Sequence, residues 1–321
     1  MPRNKNSLKY ELFSIVSKDV KNNRTRSSYK RSITRFAKWA KQNNIKNKKQ
    51  ITEEVIQQYQ EDLKNDPRQY SAATIHTYLA PVCKSVNINM NRIRKDKRKS
   101  DKITRGRKKE KNEQGHQEEN SSRFSRIVEF QRVVGIRRNE LRKLKGSDLK
   151  RDSNGNIYVV VRRGKGGKYH EQLILPKDAT IVVNTFQNIN SNENVFSKVE
   201  LNNHINFHKM RADHAKDCYY YYLNKINSDK DFKRRLQIDL INKWEIGHQN
   251  LAQESMKKYL KQKDHFICEL SGESYKIRGS NYQKALKTNS PTIYNRLALM
   301  AVSVYNLSHW RLSVTVTNYL L

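Results

Sequence analysis

Four short stretches of this 321-residue chain carry side chains suited to phosphoryl chemistry, and they come in a fixed order. Gly135-Ile136-Arg137-Arg138-Asn139-Glu140-Leu141 offers an arginine, and Gly164-Lys165-Gly166-Gly167-Lys168 offers a lysine. His208-Lys209-Met210-Arg211 offers a histidine and a second arginine, and Leu307-Ser308-His309 is followed ten positions on by Tyr319. Cleaving a phosphodiester without metal or cofactor needs a nucleophile, cations to neutralise the pentavalent transition state, an acid for the leaving oxygen and help in deprotonating the nucleophile. An arginine holds two phosphate oxygens in its planar fork and keeps its charge. A lysine on a short hairpin can serve as a mobile acid near the leaving 5′-oxygen. Histidine shares a proton or bonds a non-bridging oxygen. A tyrosine forms a stable but reversible phosphodiester, which conserves the bond for re-ligation. The candidate catalytic residues are therefore an arginine of the first stretch, a lysine of the second, and His208, Arg211, His309 and Tyr319.

Taken singly, each element has a plainer reading. Arg137 stands beside Arg138 and Arg142, as on any basic helix face. The glycine-rich stretch could be a flexible hairpin tip; it lacks the spacing of a nucleotide-binding loop and joins two expected strands. His204 and His208 share a helix face at i and i+4, but no glutamate follows His204 and a third zinc ligand is lacking, so no metal is expected. What carries the reading is the conjunction in order, with the lysine on a hairpin. A rival to the terminal pair exists at Glu245-Ile246-Gly247-His248, with Tyr259 eleven residues later. The terminal pair is preferred because the apolar run Leu297–Val302 supplies a buried helix leading into His309.

The elements that must position these residues follow from periodicity. Tyr29, Ile33, Phe36, Ala37 and Ala40 recur at helical spacing. Thr52 reads as an N-cap before a stripe of Val55, Ile56, Tyr59 and Leu63, and Ser71 as the cap of a helix carrying Ile75, Leu79 and Val82, which Pro81 should break or kink. Residues 8–91 thus form a helical module. From Arg92 to Lys111 there are twelve basic residues against Asp96, Asp101 and Glu110, and the chain stays polar to Ser122. Residues 92–122 read as an interdomain linker, basic enough to track a phosphate backbone. A second domain, 123–321, begins with a helix ending at Gly135 and continues through Leu141, Leu144 and Leu149. The turn Asp152–Asn156 leads to a strand, Ile157–Val161, which pairs with Gln172–Leu175. From Asn203 onward the pattern is largely helical.

Composition bounds the partners. The formal net charge is +34, from 65 Lys and Arg against 31 Asp and Glu. Such an excess repels itself and suits a polyanionic partner. No run approaches eighteen apolar residues, which speaks against a membrane span. Cys83, Cys218 and Cys268 are few and scattered, as in a reducing compartment, and the polar N-terminus lacks an apolar signal segment. A cytoplasmic location is expected.

With these boxes the sequence resembles the tyrosine recombinase family, the phage-integrase type of site-specific DNA recombinase. Gly135–Leu141, with Leu144 and Asp148 behind it, is similar to the family's first arginine box and points to Arg137 rather than Arg138. Lys165 matches the hairpin lysine, His208 and Arg211 the histidine-x-x-arginine box, and His309 with Tyr319 the last histidine and nucleophile. Two departures stand out: Ser308 replaces the usual glycine, and 98 positions separate Arg211 from His309, which requires an insertion. The resemblance implies a mainly α, two-domain DNA clamp. Its parts would be an N-terminal helical core-binding domain and a mainly α catalytic domain with a small antiparallel β-sheet. It further implies cleavage through a 3′-phosphotyrosyl link, double-stranded DNA at a specific recombination site as partner, a homotetramer in the synapse, possible use of a DNA-bending accessory protein, and no cofactor. Mobile-element integration or excision is the expected role. A type IB topoisomerase would use similar chemistry, and a non-catalytic basic DNA- or RNA-binding protein with degenerate boxes is the alternative from another class.

Overall fold

The computed structural model describes residues 7–97, 113–270 and 274–321, and the chain divides into two compact units, Met1–Ile103 and Thr104–Leu321. In the first unit, α1 (Leu8–Ser17), α2 (Asn23–Gln42), α3 (Glu53–Lys64) and α4 (Ala72–Ser85) pack around Leu12, Ile33, Phe36, Ile56, Tyr59, Leu79 and Val82. Side chains just outside each helix start satisfy its orphan backbone donors. Asn22 accepts from Arg24 and Thr25, Thr52 from Val55 and Ser71 from Thr74. Pro81 does not end its helix, which continues to Ser85. The carbonyl that a proline at this position leaves without its helical donor belongs to Thr77, and the Ser32 hydroxyl lies 3.5 Å from it.

The packed part of this unit runs past residue 91, where the sequence reading placed the start of a linker. Ile93 is buried, Gln60 donates to the Arg94 carbonyl at 2.6 Å, and Arg92 pairs with Glu53 at 3.1 Å. The centre of the expected linker, 98–112, lies outside the described residues. Its end, Glu113–Glu119, forms α5, tied to the second unit through Glu119 and Arg132 at 3.2 Å.

The second unit holds two apolar clusters. One surrounds α6 (Ser125–Val134), α7 (Arg138–Leu141), and a three-stranded antiparallel sheet, β1 (Leu149–Arg151), β2 (Ile157–Val161) and β3 (His170–Leu173), in the order β1-β2-β3. Leu149 begins a strand rather than continuing a helix. β3 begins at His170, paired with Val161, two residues before the expected start. After α8 (Ala179–Phe186) and α9 (Lys198–Leu201), the long α10 (Phe207–Ser228) passes into the second cluster. The stretch between Arg211 and His309 is filled by the rest of α10, α11 (Lys230–Gly247), α12 (Gln249–Glu254), α13 (Met256–Glu269), β4 (Ser274–Lys276), α14 (Gly279–Lys287), β5 (Ile293–Asn295) and α15 (Arg296–Ala301). A buried π-turn, Val302–Asn306, leads to α16 (Leu312–Thr315) and a second π-turn, Val316–Leu320. The fold is mainly helical with two small antiparallel sheets, and no helix among the described residues is long and apolar enough to cross a membrane.

Candidate active site

Arg211 lies one turn into α10 and is 1% exposed. Its guanidinium donates to the backbone carbonyl of Gly135, to that of Leu307 at 3.1 Å, and from Nε to the Tyr319 hydroxyl at 3.4 Å. No carboxylate forms an ion pair with it among the described residues. Burial pulls its pKa down, but a guanidinium starts so high that it stays charged. A buried cation is costly, and the charge of nearby Glu140 offsets part of that cost.

Arg137 supplies the second cation at the entrance of α7. Glu140 receives both its backbone N–H, at 2.8 Å, and its guanidinium, at 2.7 Å. Burial pushes the Glu140 carboxyl up, but Arg137 and Arg211 outweigh this and hold it below the ordinary range, so it is ionised. The neighbouring Arg138 is spent elsewhere: it bonds the Asn203 and Ile205 carbonyls and lies over the Phe207 ring. Arg137, His208 and Arg211 share the lining of one pocket of about 230 Å³.

Local backbone chemistry fixes the turn between the two arginines. Gly135 takes φ +63°, and a methyl group there would lie 2.6 Å from Cδ2 of the buried His214. Two wholly buried glutamines cap carbonyls nearby: Gln131 donates to Ile136 at 2.7 Å and to Phe207 at 3.2 Å, and Gln172 donates to Val134.

Tyr319 comes from the second π-turn and is 6% exposed. Its ring lies 5.5 Å from the Arg211 guanidinium carbon, 6.0 Å edge-on from His208, and 6.1 Å from His309, stacked at 20°. Burial raises the phenol's pKa, but the Arg211 charge and hydrogen bond, with Arg137, outweigh it and the net shift is downward. Every other shifted tyrosine among the described residues is moved upward, Tyr169 first by its hydrogen bond to Glu171 and the rest first by burial. His309 is held through Nδ1, 3.1 Å from the Ser303 hydroxyl, and its backbone N–H reaches the Ser303 carbonyl at 3.1 Å. Its Nε2 is buried without a partner.

The flanks of His309 are conformationally strained: Ser308 has φ +57° and Trp310 φ +54°. A glycine at position 308 would take this backbone without strain. The left-handed region costs a side chain about 1–2 kcal/mol, partly offset by the extra chain entropy of glycine. Ser308 also buries its hydroxyl without a partner. Ser308→Gly should therefore stabilise the unit by about 1 kcal/mol, read as a melting point higher by roughly 2–4 °C; a lower one contradicts the strain argument.

The structure joins Arg137, His208, Arg211, His309 and Tyr319 but not Lys165. That lysine is exposed on the turn between β2 and β3, with Gly166 at φ +75° and Gly167 at φ +80°, and it hydrogen-bonds none of the other five. The rival pair stands elsewhere. His248 stacks on Trp244 at 4.1 Å, Tyr259 lies 5.4 Å from the same indole, and neither reaches the arginines. His204 turns its Nδ1 to Glu118 at 3.2 Å, and no group of three potential metal ligands is found among the described residues. Sequence motifs did not single out Glu140 as a partner of Arg137, or His170, whose pKa reflects burial and the charges of Glu140, Arg211 and Arg137. The glutamate three residues after Arg137 was the available signal for the first; nothing in the sequence pointed to the second.

Three histidines of this unit are held neutral. Burial first, with Arg211 adding to it, lowers the pKa of His214 and of His309 to about 3, and burial lowers that of His170 to about 4. The unfolded chain takes up these protons near pH 6.5 and the folded chain does not, so stability present above pH 6.5 is lost as pH falls toward 4. For His214, 2% exposed, the loss at pH 5 should approach about 2 kcal/mol. Urea unfolding at pH 7 and pH 5 should show this fall, and His214→Gln should flatten the slope between pH 6.5 and 5 by about 1.4 kcal/mol per unit. An unchanged slope would mean His214 is already protonated.

Residues 15–83 match the family model described as "Phage integrase, N-terminal SAM-like domain". The matched segment spans the end of α1 to most of α4, so this likeness falls on the helices of the first unit. Among solved structures, the chain is similar to one titled "Crystal structure of XerA recombinase". That likeness has 18% sequence identity, covers 70% of this chain and 86% of the other, and has a TM-score of 0.24. No curated protein matches the sequence.

Proposed function

On the premise that a chain carrying a phage-integrase N-terminal domain is a recombinase of the tyrosine type, we propose that this protein cuts and rejoins duplex DNA at a specific site through a 3′-phosphotyrosyl intermediate on Tyr319. The observation that supports this most is the buried Arg211 guanidinium, whose Nε meets the Tyr319 hydroxyl beside a pocket shared with Arg137. A scissile phosphate in that pocket would meet both guanidinium groups. Arg211 and Arg137 hold its non-bridging oxygens, and the cationic surroundings favour the tyrosinate that attacks phosphorus. The bond from phosphorus to the 5′-oxygen breaks, and Lys165 gives that oxygen its proton once DNA brings the hairpin in. His208 and His309 assist, His309 as a neutral imidazole.

The helical first unit and the basic stretch after it grip the duplex. Four protomers assemble the synapse and exchange one pair of strands at a time, in the integration or excision of a mobile element. The test is formation of a denaturation-resistant protein–DNA adduct on nicked duplexes drawn from the DNA flanking the gene. Binding without any adduct on these substrates would leave the non-catalytic binding protein as the reading. Lys165→Ala should keep binding but slow adduct formation by about 100-fold or more. A substrate with sulfur in place of the leaving 5′-oxygen needs no acid, so cleavage should return on it; failure of that rescue removes the acid role.

A further inference from the structure

His170 opens β3 directly below the hairpin turn that carries Lys165, paired across the sheet with Val161. A methyl group built on Gly164, the residue before Lys165, would lie 3.1 Å from its Cε1 and 3.2 Å from its Nδ1. The imidazole is thus wedged against the neck of the hairpin. The neck itself is closed by Gly164 N–H to the Lys168 carbonyl at 2.8 Å and by Gly167 N–H to the Gly164 carbonyl at 3.0 Å. His170 Nε2 is buried and has no hydrogen-bond partner among the described residues, a cost of about 1–3 kcal/mol that buried polar groups in folded proteins rarely bear without use.

We propose that His170 is a positioning residue for Lys165: its Nε2 accepts a hydrogen bond from the Lys165 ammonium when DNA draws the hairpin toward the two arginines. The idea rests on the reaction proposed above and adds the group that aims its acid. The environment keeps the acceptor available. Burial and the charges of Arg211 and Arg137, against the opposing carboxylate of Glu140, hold the imidazole neutral, its pKa pushed down to about 4. With its proton on Nδ1, a neutral ring offers Nε2 as an acceptor, which an imidazolium could not do. Lys165 directly follows the wedged glycine, and an ammonium needs such a partner because its stem is flexible.

The experiment uses the full chain, nicked duplexes with an ordinary or a 5′-thio leaving group, and the variants His170→Ala, His170→Phe and His170→Gln. His170→Ala and His170→Phe should bind DNA as before but form adduct at least 10-fold more slowly on the ordinary substrate. Both should return to within about twofold of the unsubstituted protein on the thio substrate, where Lys165 is not needed. His170→Gln, whose side-chain carbonyl can accept, should recover part of the rate. Phenylalanine keeps the wedge, so full-rate cleavage by His170→Phe overturns the acceptor role. An equal deficit on both substrates also overturns the proposal, because His170 would then act on the phosphate or on folding rather than through Lys165. No adduct from the unsubstituted protein on either substrate removes the recombinase reading itself, and the proposal with it.

Discussion

Tyr319→Phe should bind DNA within about twofold of the unsubstituted protein and form no covalent adduct. In the proposed reaction the Tyr319 hydroxyl is the attacking group, and the phenylalanine ring keeps its place against His208, His309 and the Arg211 guanidinium. The lost hydrogen bond from Arg211 Nε is long, 3.4 Å, so the unfolding free energy should change by no more than about 1 kcal/mol. Tyr259→Phe should cleave normally, since that ring packs on Trp244 far from either arginine's bonds. Peptide mapping of the trapped adduct should place the nucleotide on Tyr319. A label on Tyr259 would instead make His248 the assisting histidine and turn the last segment into scaffolding.

Arg211→Lys should cost about 100- to 1,000-fold in adduct formation and, separately, about 2–3 kcal/mol of stability. The two losses have different causes. A lysine presents a point charge with no planar fork, so it cannot satisfy the Gly135 and Leu307 carbonyls and clamp a phosphate together. Each carbonyl left without a donor in the interior carries a desolvation penalty. Adduct kinetics at a temperature well below the melting point, with urea unfolding in parallel, separates the effects. Normal cleavage alongside reduced stability would mean that Arg211 only braces the fold.

The parts legible from the sequence are those whose physics is local. Thr52, Ser71 and Gly135 mark helix ends because each acts on backbone within about four residues, and Ile157–Val161 is a strand because its branched side chains favour one. The order of the boxes named the candidate residues, yet spacing could not choose between Tyr259 and Tyr319, since the insertion offers both a histidine. What sets the two tyrosines apart is a contact across 108 residues, from Arg211 to Tyr319. Pro81 misled because the hydroxyl beside its orphaned carbonyl comes from Ser32, on another helix. The limit at residue 91 failed for a similar reason: Ile93 is one apolar residue in a basic run, and only packing against the first unit reveals its role. His170 had no motif at all, since its environment is made by strand register.

The bonds of Arg211 also set an order of events in time. One partner, Gly135, precedes it by 76 residues, while Leu307 and Tyr319 follow by 96 and 108. Chains emerge from the ribosome N-terminus first and fold domain by domain. The helical first unit and both arginines are therefore made well before residues 307–319, while Arg211 still lacks its Leu307 carbonyl and the tyrosine beside it. During that interval the growing chain has both arginines but not the carbonyl and the phenol that hold Arg211, so the cluster closes only when residues 307–319 have been made and docked.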